Sequence, residues 1–281
     1  MEVHPVNTRP PVDARELFAP LDEKLLSLLR SLTEEEWNQQ TIAPLWKVRD
    51  AAAHLLDGSI RALSMQRDGY FGISPSDFSH QGIINWLNQT NAEWVTAARR
   101  ISPQLMIFLH EQTGAQVSRF FALLQPFDKA IFDVTWAGEE GRWNWMHVAR
   151  EYTEKWLHQQ QIRDAVQKPG IITKEFFYPF IATLVYALPK AYENVDAPEG
   201  TRVHLHISSE AGGDWAIIKS NEGWKLATET GNAQARISID PDTAWKLFSK
   251  GMRPEQASSR VTITGDESIA LPALSMVAVM A

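Results

Sequence analysis

Hydrophobic positions recur with two different periods along this chain, and the change of period falls near Tyr192. Up to that point the spacing is helical. Leu17, Leu21, Leu25, Leu28 and Leu32 form one stripe and predict a helix over 12–31. Thr33 followed by Glu36 has the form of a capping box and predicts a short turn at 34–37. Val48, Ala51, Ala52, Leu55 and Leu56 predict a second helix over 47–68, closed by Gly69. The stretch 69–82 is rich in Gly, Ser, Asp and Pro and is expected to be a long loop. Helices are expected over 84–100 and 103–124, then a loop at 138–141 and a last helix over 143–166, stopped by Pro169-Gly170. Five helices without a strand signal predict an up-and-down bundle. The apolar segment 175–190 is expected to be a bridging helix that Pro179 starts or kinks.

Beyond Tyr192 the period drops to two. Asn194–Gly200 is expected to be a linker or turn. Short alternating runs follow at 203–207, 215–218, 224–227, 235–239 and 261–263, and they predict strands. Helices are expected over 241–250 and 267–280. The expected fold class is therefore a multidomain α and α+β protein. A helical bundle occupies 1–170, a connector helix and linker 171–200, and a small α+β domain with a mainly antiparallel sheet 201–281.

Composition narrows the function classes. The 281 residues carry 34 acids and 27 bases, a net charge of −7, with no basic run to neutralise phosphates, so no nucleic-acid partner is expected. Cysteine is absent, which excludes a disulfide scaffold, a cysteine metal site and a thiol nucleophile supplied by the chain. The first residues, ending in Pro10-Pro11, read as a flexible tail and lack the apolar stretch of a signal peptide. No segment is apolar for long enough to span a membrane. A cytoplasmic protein is expected. The eleven tryptophans suit a pocket lining or a homodimer interface equally well.

One helix carries candidate chemistry. With about 100° of turn per residue, His147, Glu151, Glu154 and His158 share a stripe roughly 60° wide. Glu154 and His158, at i and i+4, are spaced to chelate one ion, and His54 from the second helix would complete a facial set suited to zinc, nickel or iron. Three protein ligands leave a coordination position open, which a catalytic metal needs. The same pattern also fits the wet face of an amphipathic helix, because Trp145, Ala149, Tyr152 and Trp156 lie opposite. His54 shares its side with Asp50, Asp57 and Arg61 and has the same two readings.

The run Trp46-Lys-Val-Arg-Asp-Ala-Ala-Ala-His54-Leu resembles the metal-binding second helix of the DinB-like superfamily. More closely, it resembles the N-terminal domain of mycothiol-dependent maleylpyruvate isomerases. Residues 150–165, with Glu154, His158, Arg163 and Asp164-Ala165, are similar to that family's last-helix pattern. Residues 235–281 resemble the family's C-terminal domain, which is similar to sterol-carrier-like folds. The signature there is a strand, Asp240-Pro241, a helix with Trp245, Gly251-x-Arg253, and Gly265-Asp266. The resemblance implies a divalent metal, zinc being usual, held by His54, Glu154 and His158. It also implies a small-molecule thiol such as mycothiol and a small electrophilic substrate, joined by isomerisation or S-transfer. Arg253 resembles an arginine associated with activity, although Met252 departs from the local spacing; the plain alternative is a surface turn arginine. The loop 69–82 and the connector 175–200 fall outside the family pattern.

His147 and Glu151 are candidates for spare ligands or for groups that orient a ligand. His204 and His206 alternate on one strand and are expected to face solvent, since Val203, Leu205 and Ile207 take the buried side. His80 and His110 have no partner pattern. No Walker, dinucleotide or Gly-x-Ser-x-Gly signature is present. Two other functions remain compatible with the sequence: a metal-dependent hydrolase using the same three ligands, and a non-catalytic protein that binds an apolar ligand in its C-terminal domain.

Overall fold

The computed structural model describes residues 10–277. Residues 1–9, the greater part of the expected tail, lie outside the described residues, as does the expected end of the last helix at Met280. The chain falls into two compact units, one of residues 10–133 with 142–171 and one of residues 134–141 with 172–277. The segment 171–200, read from the sequence as a connector, is counted almost entirely in the second unit.

The first unit is helical. Its helices are α1 (Phe18–Arg30), the short α2 (Glu34–Trp37), α3 (Val48–Arg61), α4 (His80–Ala98), α5 (Pro103–Leu123) and α6 (Asn144–Ala165). The Thr33–Glu36 capping box forms as its spacing predicts: Thr33 N donates to Glu36 Oε2 at 2.8 Å and Glu36 N to Thr33 Oγ1 at 3.2 Å. At the start of α3, Lys47 N donates to the Asp50 carboxylate at 3.0 Å. The apolar stripe of α3 is fully buried at Val48, Ala51, Ala52 and Leu56. Its alanines let neighbouring helices approach, and α3 packs on α4, α5 and α6. Two side chains pin α3 by its carbonyls: His110 Nε2 lies 3.0 Å from Ala52 O, and Trp94 Nε1 donates to Ala53 O at 2.7 Å. Helix α3 runs into a π-helical turn over Ala62–Arg67 before Gly69.

Two boundaries differ from the expectation. The loop after Gly69 is shorter, because Ser79 caps α4 by accepting from Gly82 N at 3.1 Å. The expected loop at 138–141 lies within 3-10 turns over Thr135–Arg142, broken at Gly138 with φ 58°. Burial decides between the two readings left open for α6. Helix α6 is not amphipathic with a wet face; His147, Gln159, Gln160, Gln161 and Arg163 are all buried. Several of its polar side chains find partners inside the bundle. Gln159 Nε2 donates to Leu21 O at 3.0 Å, Arg163 to Lys24 O at 2.9 Å, and Lys155 Nζ meets Asp22 Oδ1 at 2.6 Å.

The longer segment of the second unit begins with α7 (Phe177–Leu184), a 3-10 turn at Val185–Ala187 and α8 (Leu188–Ala191). The expected bridging helix starts near Pro179, as one of its two readings had it, and is broken at Val185–Ala187, just before Pro189. Pro179 sits in the first turn of α7, where its missing N–H costs nothing, whereas a proline continuing a helix clashes with the carbonyl four residues back. The strands are β1 (Arg202–Ile207), β2 (Gly213–Ser220), β3 (Gly223–Leu226), β4 (Ala235–Ile239) and β5 (Val261–Gly265), in the order β3-β2-β1-β4-β5. All pairs are antiparallel except the central β1–β4 pair. Val203, Leu205 and Ile207 on β1, Ile217 on β2, and Ile237 and Ile239 on β4 are almost completely buried. So are Trp245 and Phe248 on α9 (Pro241–Phe248). Two short helices follow, α10 (Pro254–Ala257) and α11 (Glu267–Ala270). The expected long final helix gives way to 3-10 turns over Leu271–Ser275, where Pro272 stops α-helical bonding.

Candidate metal centre

His54 projects from the middle of α3, and Glu154 and His158 project one turn apart from α6. Because α3 packs on α6, the three side chains meet. One ligand atom from each lies within 4.8 Å of the other two, the sole such group of three or more among the described residues. His158 Nε2 is 3.4 Å from Glu154 Oε2. The two imidazole rings stand 4.5 Å apart at 77°, and the Trp46 ring covers both, 4.6 Å from His54 and 5.3 Å from His158. His54 and His158 are each 8% exposed, while the Glu154 side chain keeps 35% of its surface open.

The electrostatics favour ligation. Burial, reinforced by the neighbouring His158 charge, pushes His54 well below the usual imidazole range. Its ring is therefore neutral at pH 7 and offers a lone pair. Burial alone would raise Glu154; the hydrogen bond and charge of His158, with Arg150 and His54, outweigh it and hold the carboxyl at about 2. Two imidazoles and a carboxylate are a donor set for zinc, nickel or iron. His54 Nδ1 is buried with no hydrogen-bond partner. A buried polar nitrogen without a partner is costly, and a cation site in a shell of donors is where such an atom is expected. The residues present fit a divalent metal.

A pocket of about 40 Å³ borders the three side chains and is also lined by Glu151, Lys155 and Phe18. That volume holds only a few water-sized groups. Glu151 is bonded to Arg150, whose guanidinium also reaches Glu154 Oε1 at 3.8 Å. Lys155, beside Phe18, is held by Asp22.

His147 and Glu151 stand apart from the three-donor group. His147 Nε2 lies 2.9 Å from Gln66 Oε1, and burial lowers this imidazole to about 4. Arg253 caps the short α10 in the second unit and is exposed. His110 is buried against α3, and burial together with the Lys155 charge lowers it to about 4. The expectation that His204 and His206 face solvent is corrected for His204, while His206 stays partly exposed. His204 is 8% exposed, and both rings converge on one oxygen: His204 Nε2 at 2.7 Å and His206 Nδ1 at 2.9 Å from Asp214 Oδ1. The cause is register, which sets Asp214 on β2 directly across from His206.

Reading the sequence missed Gln161, whose Oε1 lies 2.9 Å from His158 Nδ1, and the role of Trp46 as a cover. The i+3 spacing from His158 was available as a signal for Gln161. Nothing local announces the Lys155–Asp22 pair, which joins two distant helices.

A helical bundle with a two-helix, three-donor centre, followed by an α+β unit, defines a recognisable class. The sequence model described as the mycothiol maleylpyruvate isomerase N-terminal domain matches residues 18–163, just over half of the chain, and the chain belongs to that family. Two crystal structures of the mycothiol-dependent maleylpyruvate isomerase, one of a histidine-to-alanine mutant, share the fold. Each is 14% identical over 92% of this chain and 95% of its own, with TM-scores of 0.52 for the mutant and 0.51 for the other. The comparison with curated proteins gave no match. No helix among the described residues is long and apolar enough to cross a membrane.

Proposed function

We propose that His54, Glu154 and His158 hold a divalent metal, zinc by preference, and that this centre serves thiol-dependent isomerisation or S-transfer. The observation that carries the reading is the convergence of two imidazoles and a carboxylate on a small pocket, in a chain of the mycothiol maleylpyruvate isomerase family. A divalent ion bound there would lower the pKa of a thiol and favour the thiolate at neutral pH. The chain has no cysteine, so the sulfur comes from a small molecule such as mycothiol.

The residues have separable tasks. As metal ligands, the His54 and His158 imidazoles would contribute lone pairs, and Glu154 one negative charge. The donor set thus carries one negative charge against two on the ion, and the surplus positive charge favours an anionic partner. Trp46 shields the two rings from water. Glu151, which lines the same pocket, is the candidate to receive the thiol's proton. The pocket fits a thiol group but not a whole substrate. A thiolate adding to an electrophilic carbon, followed by bond rotation and elimination, returns the thiolate and an isomer; return of the thiol's proton to the carbanion instead gives the S-transfer product. Arg253 is the candidate for pinning a substrate carboxylate, since a guanidinium forks onto two oxygens. A cytoplasmic setting, where small thiols stay reduced, suits this chemistry.

The carrier reading has less support, because the second unit fills its interior with side chains such as Leu205, Ile237, Trp245 and Phe248. Hydrolysis through a bound water differs from the leading reading in its response to thiol. Cobalt-substituted protein titrated with mycothiol should change its visible absorption as sulfur enters the coordination shell. An unchanged spectrum at saturating thiol contradicts thiol chemistry.

A further inference from the structure

We infer that Gln161 is a positioning residue that fixes the tautomer of His158 and so aims its basic nitrogen at the three-donor centre, an inference that rests on the metal reading above. Gln161 follows His158 by three residues on α6 and is 6% exposed. Its Oε1 lies 2.9 Å from His158 Nδ1. An amide oxygen only accepts hydrogen bonds, so Nδ1 must carry the hydrogen. In the neutral ring the lone pair then sits on Nε2. That atom is 3.4 Å from Glu154 Oε2, another acceptor. Two acceptors this close repel each other unless a proton or a cation lies between them. Gln161 therefore poses His158 as a ligand before any ion arrives.

His54 is held by different means. Its Nδ1 is buried without a hydrogen-bond partner, and the ring leans instead on Trp46 at 4.6 Å. Of the two imidazoles, only His158 has an outer hydrogen bond of the kind that sets ring orientation and ligand basicity. The alternative role for Gln161 is structural: a buried amide that merely satisfies itself and stabilises α6. The two roles differ in what Gln161→Leu and Gln161→Glu do. Leucine removes the acceptor with little change of volume, and glutamate keeps an acceptor oxygen in place.

Two measurements separate them. In metal-free wild-type protein at alkaline pH, ¹⁵N NMR of the histidines should show His158 as the Nδ1–H tautomer, and Gln161→Leu should lose that preference. Cobalt affinity, measured by competition with a chromogenic chelator, should fall about tenfold to a hundredfold in Gln161→Leu and recover in Gln161→Glu. An Nε2–H tautomer in the wild type overturns the inference. So does wild-type cobalt affinity in Gln161→Leu, or an equal loss in both variants with a matching loss of metal-free stability. A wild-type chain that binds no ion removes the metal reading instead, and the tautomer measurement still reports on Gln161.

Discussion

Two clusters in this protein each combine two histidines with one carboxylate, and only one of them has the features of a metal centre. On β1 and β2, His204 and His206 both spend a ring nitrogen on Asp214 Oδ1. Arg236 adds positive charge 3.9 Å from the same oxygen, and Asp214 is nearly half exposed. That cluster is closed by its own hydrogen bonds. Between α3 and α6, in contrast, His54 keeps a buried nitrogen without a partner, beside Glu154 Oε2 and His158 Nε2, which stand 3.4 Å apart. Residue types alone do not separate the two. The separation lies in which polar atoms are already satisfied.

The sharpest way to break this contrast is paired substitution with metal analysis. His54→Ala and His158→Ala should each lower metal affinity by more than the about 10- to 100-fold that outer partners carry. His204→Ala and His206→Ala should leave the metal content of the purified protein unchanged. Loss of the ion from a sheet variant, or its retention in both helix variants, reverses the assignment.

Stability should follow the same division. The Lys155–Asp22 pair is buried in the bundle, with side chains 7% and 12% exposed. Asp22→Ala strands the ammonium and should cost about 3–5 kcal/mol in denaturant unfolding. Asp214→Ala breaks a half-exposed cluster and should cost no more than about 1 kcal/mol. Comparable losses for the two would show that the sheet cluster is as buried in effect as the helical one.

Acid should act chiefly on the bundle. His110, packed against the Ala52 carbonyl and near the Lys155–Asp22 pair, is lowered by burial from 6.5 to about 4. The unfolded chain thus binds a proton that the folded chain refuses throughout that window. Stability is complete above pH 6.5 and is lost as pH falls toward 4, by on the order of 3 kcal/mol for this group. His110→Gln should flatten the slope of stability against pH between those limits; an unchanged slope would assign the acid sensitivity elsewhere.

How much of this was legible in the sequence depends on whether the pattern was local. The five strands announced themselves, because one face of the sheet is buried and Val203, Leu205 and Ile207 alternate accordingly. The long helices did so as well, through their apolar stripes. Helix α6 stayed ambiguous: its glutamines, Lys155 and Arg163 are buried against partners such as Leu21 O and Lys24 O on α1, which no periodicity reveals. For the same reason His204 was misplaced, since its cover is supplied by Asp214 on the next strand. Glu154 and His158 were readable from their i+4 spacing. Their meeting with His54, across about a hundred residues of chain, was suggested by family resemblance and depends on α3 packing against α6.

The most direct test is anomalous diffraction from crystals of the purified protein, recorded across the absorption edge of the metal found by elemental analysis. The expected result is one strong peak bonded to His54, Glu154 and His158, with a coordination position left for an outside ligand. A peak at His204, His206 and Asp214 instead, or none between α3 and α6 in metal-replete crystals, would contradict it.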